Sequence, residues 1–139
     1  MAWATREIEP GYELPPLHKG IMTQAKMKAY SRLEGEVSIH TDEELAKKVG
    51  LPGTVAAGLM LVDYLSEMLT NFFGTGWVQG GKIAVSFILP VRAGDGVTAK
   101  GVVRDKLSEG PATRLILDVW CENQRGEKVT AGTASGLVR

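Results

Sequence analysis

V-A-A-G-L-M-L-V-D-Y-L-S-E-M-L-T-N-F-F-G-T-G-W-V-Q-G-G-K-I-A-V-S-F-I-L-P, residues 55–90, changes periodicity part-way along. In its first half Leu59, Val62, Leu65, Leu69 and Phe72 recur at spacings of three and four, which predicts a helix over about residues 55–72 with Gly74 just past its end. Met60, Leu61, Met68 and Phe73 widen the apolar stripe until most of the helix surface needs cover. After Gly80-Gly81 the period becomes two. Ile83, Val85, Phe87 and Leu89 share one face of a strand that stops at Pro90.

The same alternation continues downstream. Gly94-Asp95-Gly96 turns the chain into a second strand through Val97, Ala99, Gly101 and Val103. A loop at residues 108–111 leads to a third strand carrying Leu115, Leu117, Val119 and Cys121 on one face. Asn123-Gln124-Arg125-Gly126 reads as a hairpin into a last strand over about residues 128–137. One long apolar helix followed by four consecutive antiparallel strands predicts an α+β domain in which the sheet curls around the helix.

Upstream, Ile8, Tyr12 and Leu14 are spaced as a short extended edge. Pro15-Pro16 turns the chain, and residues 17–22 form a second extended piece. Thr23 then caps a short helix running through Ala25, Met27 and Tyr30. A second short helix opens just after His40, with either a Thr41/Glu44 capping box or Asp42 as its cap, and Gly50 closes it. A titratable imidazole therefore stands before one helix, and Gly58 stands near the start of the next. Together they offer a proton carrier and a set of open backbone N–H groups that can polarise a carbonyl.

The chain has 139 residues, the length of one domain, so residues 1–139 are read as a single unit. Sixteen basic residues balance sixteen acidic ones, and no long-range field draws the protein to nucleic acid or an anionic membrane. A single cysteine, Cys121, excludes an internal disulfide and any cysteine-rich metal site. It reads as a small buried hydrophobe. The absence of a signal-like segment or a long apolar run points to a soluble, cytoplasmic protein with a small-molecule or protein partner. No glycine-rich phosphate loop links a strand to a helix, so nucleotide hydrolysis and dinucleotide chemistry lack support.

Six short segments in order resemble the MaoC-like dehydratases, the hot-dog-fold group that includes (R)-specific enoyl-CoA hydratases. They are I-H-T-D-E-E-L-A from Ile39, G-L-P-G from Gly50, V-A-A-G-L-M from Val55, F-I-L-P-V-R-A-G-D from Phe87, E-N-Q-R-G-E from Glu122 and A-G-T-A from Ala131. The resemblance covers about residues 20–138. It implies a hot-dog homodimer or higher oligomer whose sheets join, with the active site at the subunit interface. It also implies an acyl-CoA or acyl-carrier thioester substrate. The chain is read as using neither cofactor nor metal. In the family a D-x-N-P-x-H segment supplies an acid and a histidine that activate water for addition to an enoyl thioester. His40 matches that histidine, and Gly58 matches the helix glycine whose N–H meets the thioester oxygen.

The chain departs from that pattern where the acid belongs. Gly35 holds the position of the family's aspartate, Val37 and Ser38 those of its asparagine and proline, and Ala57 that of the histidine before the helix glycine. Glu34 and Glu36 flank Gly35, and Glu36 is the candidate replacement acid. A non-catalytic hot-dog protein that binds an acyl thioester is the reading that Gly35 suggests instead. Asp63 and Glu67, one helical turn apart, open a third: a hot-dog thioesterase with its acid on the central helix. His18 reads as a surface residue, Trp77 and Trp120 as core or interface fillers, and Tyr64, Met68 and Trp77 as the residues that set pocket depth.

Overall fold

A computed structural model describes residues 3–31 and 37–139. Its elements run β1 (Leu17–Ile21), α1 (Gln24–Ser31), α2 (Glu43–Lys48), α3 (Gly58–Phe73), α4 (Thr75–Gly80), β2 (Lys82–Phe87), β3 (Gly96–Glu109), β4 (Ala112–Glu122) and β5 (Lys128–Val138). The five strands form one antiparallel sheet in the order β1-β3-β4-β5-β2, which leaves β1 and β2 at its edges. Among the described residues no helix is long and apolar enough to cross a membrane.

Size complementarity seats α3 in the sheet. The inward residues of β4, Leu115, Leu117, Val119 and Cys121, are all buried, and their cross-strand partners on β5 are Gly136, Ala134, Gly132 and Thr130. Large residues on one strand beside small ones on the next leave a trough, which Leu65, Leu69, Phe72 and Phe73 of α3 fill. Gly136 has no room for a side chain, because a Cβ there would stand 2.7 Å from the Phe73 ring. Dispersion and apolar burial thus concentrate on the last three turns of the helix.

Several boundaries differ from those read in the sequence, and each has a local cause. The long helix begins at Gly58 rather than at Val55. The Val55 N–H donates to Ile39 O (3.2 Å), the Ala56 N–H donates to Val91 O (2.8 Å), and Val55 pairs with Arg92 as an isolated bridge. These cross-chain bonds hold residues 55–56 extended. Helix α4 has no apolar period to announce it; Trp77 Nε1–H donates to Ser66 Oγ on α3 at 3.0 Å and ties the short helix to the long one. β2 ends at Phe87, because the N–H groups of Ile88 and Leu89 both turn to Val129 O. The expected loop at residues 108–111 shrinks to a tight turn at Gly110-Pro111 between β3 and β4. The first extended edge is reduced to one bridge, Glu13 with Val102.

Trp120 is not a core residue. It lies half-buried on the outer face of β4, where Lys128 Nζ stands 4.7 Å from the ring centroid and its Nε1–H donates to Glu122.

Candidate functional site

Three segments meet at His40. α1 begins at Gln24 because Thr23 caps it: Thr23 Oγ1 accepts the Lys26 N–H at 3.1 Å. α2 begins just after His40, and Asp42 rather than Thr41 is its cap, accepting the N–H groups of Glu44 and Leu45. Thr41 is engaged elsewhere, since its Oγ1 accepts the Ser38 N–H at 3.2 Å. Ser38 in turn accepts the His40 N–H on its hydroxyl at 3.2 Å and the N–H groups of Thr41 and Asp42 on its carbonyl. The third segment is the extended stretch around Val55 that precedes α3.

The half-buried His40 ring is fixed by its Nδ1, which lies 2.8 Å from Val55 O. A carbonyl oxygen only accepts, so Nδ1 carries a proton, and in the neutral form of the ring the lone pair lies on Nε2. That is the tautomer a general base needs. Val55 N–H reciprocates with Ile39 O, and the turn bearing His40 is clasped to the lead-in of α3 by two bonds.

Ala57, the residue before α3, is extended and makes no side-chain cap. Among the described residues the N–H groups of Gly58 and Leu59 have no acceptor. Open N–H groups and the helix dipole give this end a partial positive charge. In front of it runs a groove of about 390 Å³, lined by Val55, Ala56, Gly58 and Leu61 on one side and residues 87–91 on the other. Phe87 is 57% exposed, Ile88 54% and Leu89 41%, an unusual run of large apolar side chains at the end of an edge strand. The Phe87 ring also rests on Gly58: a Cβ there would stand 2.6 Å from its Cζ. Any larger residue at this position would have to displace the Phe87 ring, so packing as well as the N–H favours glycine here.

The remaining residues singled out in the sequence lie apart from this junction. Asp63 and Glu67 are exposed on α3, and Glu67 pairs with Lys19 Nζ at 3.0 Å. Lys19 also stands 5.1 Å from the Tyr64 ring centroid, while burial pushes the Tyr64 hydroxyl up against the opposing pull of that cation. His18 is exposed and bonded to Thr98 Oγ1. Cys121 is fully buried, its thiol directed to Leu61 O, and burial raises its pKa to about 12, so it supplies no thiolate. Glu34, Gly35 and Glu36 lie outside the described residues. Among the described residues no group of three or more His, Cys, Asp or Glu is placed to hold a metal ion.

Comparison with known proteins gives a match over residues 9–115 to the MaoC like domain. The chain belongs to that family. A comparison with curated proteins gives no significant match. Among solved structures, this MaoC-like domain is similar to a monoamine oxidase regulatory protein from Archaeoglobus fulgidus. That pair shares 25% identity with a TM-score of 0.80, covering 99% of this chain and 95% of that one. It is also similar to a MaoC-like dehydratase from Rhodospirillum rubrum, at 21% identity, TM-score 0.79, and 95% and 93% coverage. An (R)-hydratase from A. caviae involved in PHA biosynthesis aligns at 22% identity, TM-score 0.74, and 96% and 98% coverage. The hot-dog architecture is common to all of them, and the family is one of hydratase and dehydratase type.

Three residues that the sequence did not single out stand at this junction: Gln24, which bonds His40 O, Thr54, which bonds Gln24, and Phe87, which lines the groove. Gln24 and Thr54 carry no motif of their own and act through tertiary contacts. Phe87 was visible as one member of a strand's apolar face and as the first residue of a family segment, but nothing local placed it against Gly58.

Proposed function

We propose that this MaoC-like domain is a hydratase or dehydratase acting on an enoyl or 3-hydroxyacyl thioester, carried on CoA or an acyl carrier protein. The observation that carries the reading is the 2.8 Å bond from His40 Nδ1 to Val55 O. It leaves Nε2 as the basic nitrogen and anchors the ring three residues ahead of an uncapped helix start.

In the hydration direction Nε2 takes a proton from water, and the hydroxide oxygen bonds to the β-carbon of the enoyl group. The π electrons move to the thioester oxygen as an enolate, which the Gly58 N–H and the start of α3 stabilise. The enolate then collapses, and the imidazolium returns its proton to the α-carbon. One histidine performing both transfers requires that hydrogen and hydroxyl arrive on the same face of the double bond. A carboxylate from Glu36 would instead divide the two transfers between two groups. The apolar groove beside Phe87 accommodates the first carbons of the acyl chain.

The domain works as a homodimer or higher oligomer. β2 is an open edge that ends in exposed Phe87, Ile88 and Leu89, and a second copy would cover it. The test is hydration of short and medium trans-2-enoyl-CoA, followed by loss of the conjugated thioester's ultraviolet absorbance. Turnover that disappears in His40→Ala supports the reading. Tight acyl-CoA binding without turnover would replace it with the non-catalytic one. Release of free thiol from a saturated acyl-CoA, abolished in Glu67→Ala, would replace it with thioester hydrolysis.

A further inference from the structure

We propose that Gln24 is the positioning residue of His40, an inference that rests on the reading of His40 as the acid/base group. Gln24 is the first residue of α1, so its backbone is held by the Thr23 cap. Its Nε2–H donates to His40 O at 3.1 Å, and its Oε1 accepts the hydroxyl proton of Thr54. Thr54 is 2% exposed and immediately precedes Val55, whose carbonyl accepts from His40 Nδ1. One side-chain amide therefore joins the turn that carries His40 to the segment that orients its ring.

Both the oxygen and the nitrogen of Gln24 bond protein partners, which fixes the amide's orientation between the His40 turn and Thr54. It acts on where His40 stands. The turn at residues 38–41 has its own internal bonds through Ser38 and Thr41, but these do not reach Thr54 or α1. Contact with the lead-in of α3 depends on the His40 ring, the Val55 N–H and the Gln24 amide. Loss of the amide releases the turn on the side away from the ring. A displacement of about 1 Å in a catalytic group is enough to lower turnover on the order of 10²-fold.

The experiment compares Gln24→Met, which keeps length and loses both bonds, with Thr54→Val and Thr54→Ser. Hydration kinetics on trans-2-enoyl-CoA and the ¹⁵N–¹H signature of the His40 imidazole are measured on each folded variant. Gln24→Met and Thr54→Val should lower kcat about 10²-fold with little change in KM, and both should move the His40 ring resonances. Thr54→Ser, which retains the hydroxyl, should restore both readouts. Wild-type kcat and unmoved ring resonances in folded Gln24→Met would overturn the proposal. If Gln24→Met fails to fold, the Thr54→Val and Thr54→Ser pair decides in the same way. If the wild-type protein has no hydratase activity, the functional reading fails, and the imidazole signature alone judges the Gln24 link. Movement in Gln24→Met but not in a Gln79→Met control upholds that link, and no movement removes it.

Discussion

The two ends of α3 are built for opposite purposes. Towards Phe73 the helix is sunk in the trough between β3 and β5, with Leu65, Leu69, Phe72 and Phe73 all buried. Towards Gly58 it has no side-chain cap, open N–H groups, and a groove whose far wall is the exposed run 87–89. Stability collects where every group has a partner. Reactivity is available where groups have been left without one.

The largest effects should fall cleanly on one end or the other. His40→Ala is expected to lower kcat about 10² to 10⁴-fold while costing only about 0.5–1.5 kcal/mol of stability, the size of the single bond lost to Val55 O. A matching loss of stability would mean that the site end also holds the fold together. Leu65→Ala, at the buried end, should cost about 2–5 kcal/mol in denaturant unfolding and leave turnover per folded molecule unchanged. Gly58→Ala tests the point where the two ends meet, because the added methyl collides with the Phe87 ring. If packing is what glycine serves, adding Phe87→Ala should recover about 0.5–3 kcal/mol as a coupling energy.

Two smaller effects refine the contrast. The Cys121 thiol is raised from an ordinary 9.0 to about 12 by burial. The folded chain thus holds a proton that the unfolded chain releases, and this contribution to stability is complete below about pH 9 and falls away as pH rises towards 12. Thiol alkylation that is fast in the folded protein at neutral pH would contradict that burial. Lys19→Ala should change stability by only ~0.2–1 kcal/mol, because the Lys19–Glu67 pair is partly exposed. Glu67→Ala should leave hydration untouched, which separates that carboxylate from the chemistry.

How much of this was legible in the sequence follows from the range of the forces involved. Periodicity located α3 and the strands, because burial of an apolar face is imposed residue by residue. The α3 start was misplaced by three residues, since Val55 and Ala56 obey bonds to Ile39 and Val91 that no local pattern encodes. His40 and Gly58 stood out by residue type and by their places before two helix starts, and the family resemblance added the roles proposed for them. The tautomer of His40 did not show, because it depends on a carbonyl fifteen residues away. Gln24 was invisible for the same reason, as both its partners are distant in the chain. Of the two places read for Trp120, core or interface, its position on the outer face of β4 removes the core, because an aromatic on a strand looks the same in sequence whichever face it takes.

The open edge at β2 has a thermodynamic consequence. Where two copies of a chain associate through such an edge, the folded state is a product of mass action, and dilution acts as a mild denaturant. The melting temperature of this protein should then climb with its concentration. In a dimer formed through this edge the groove beside Phe87 would be covered to the same degree, tying the state of the groove to the concentration of the chain.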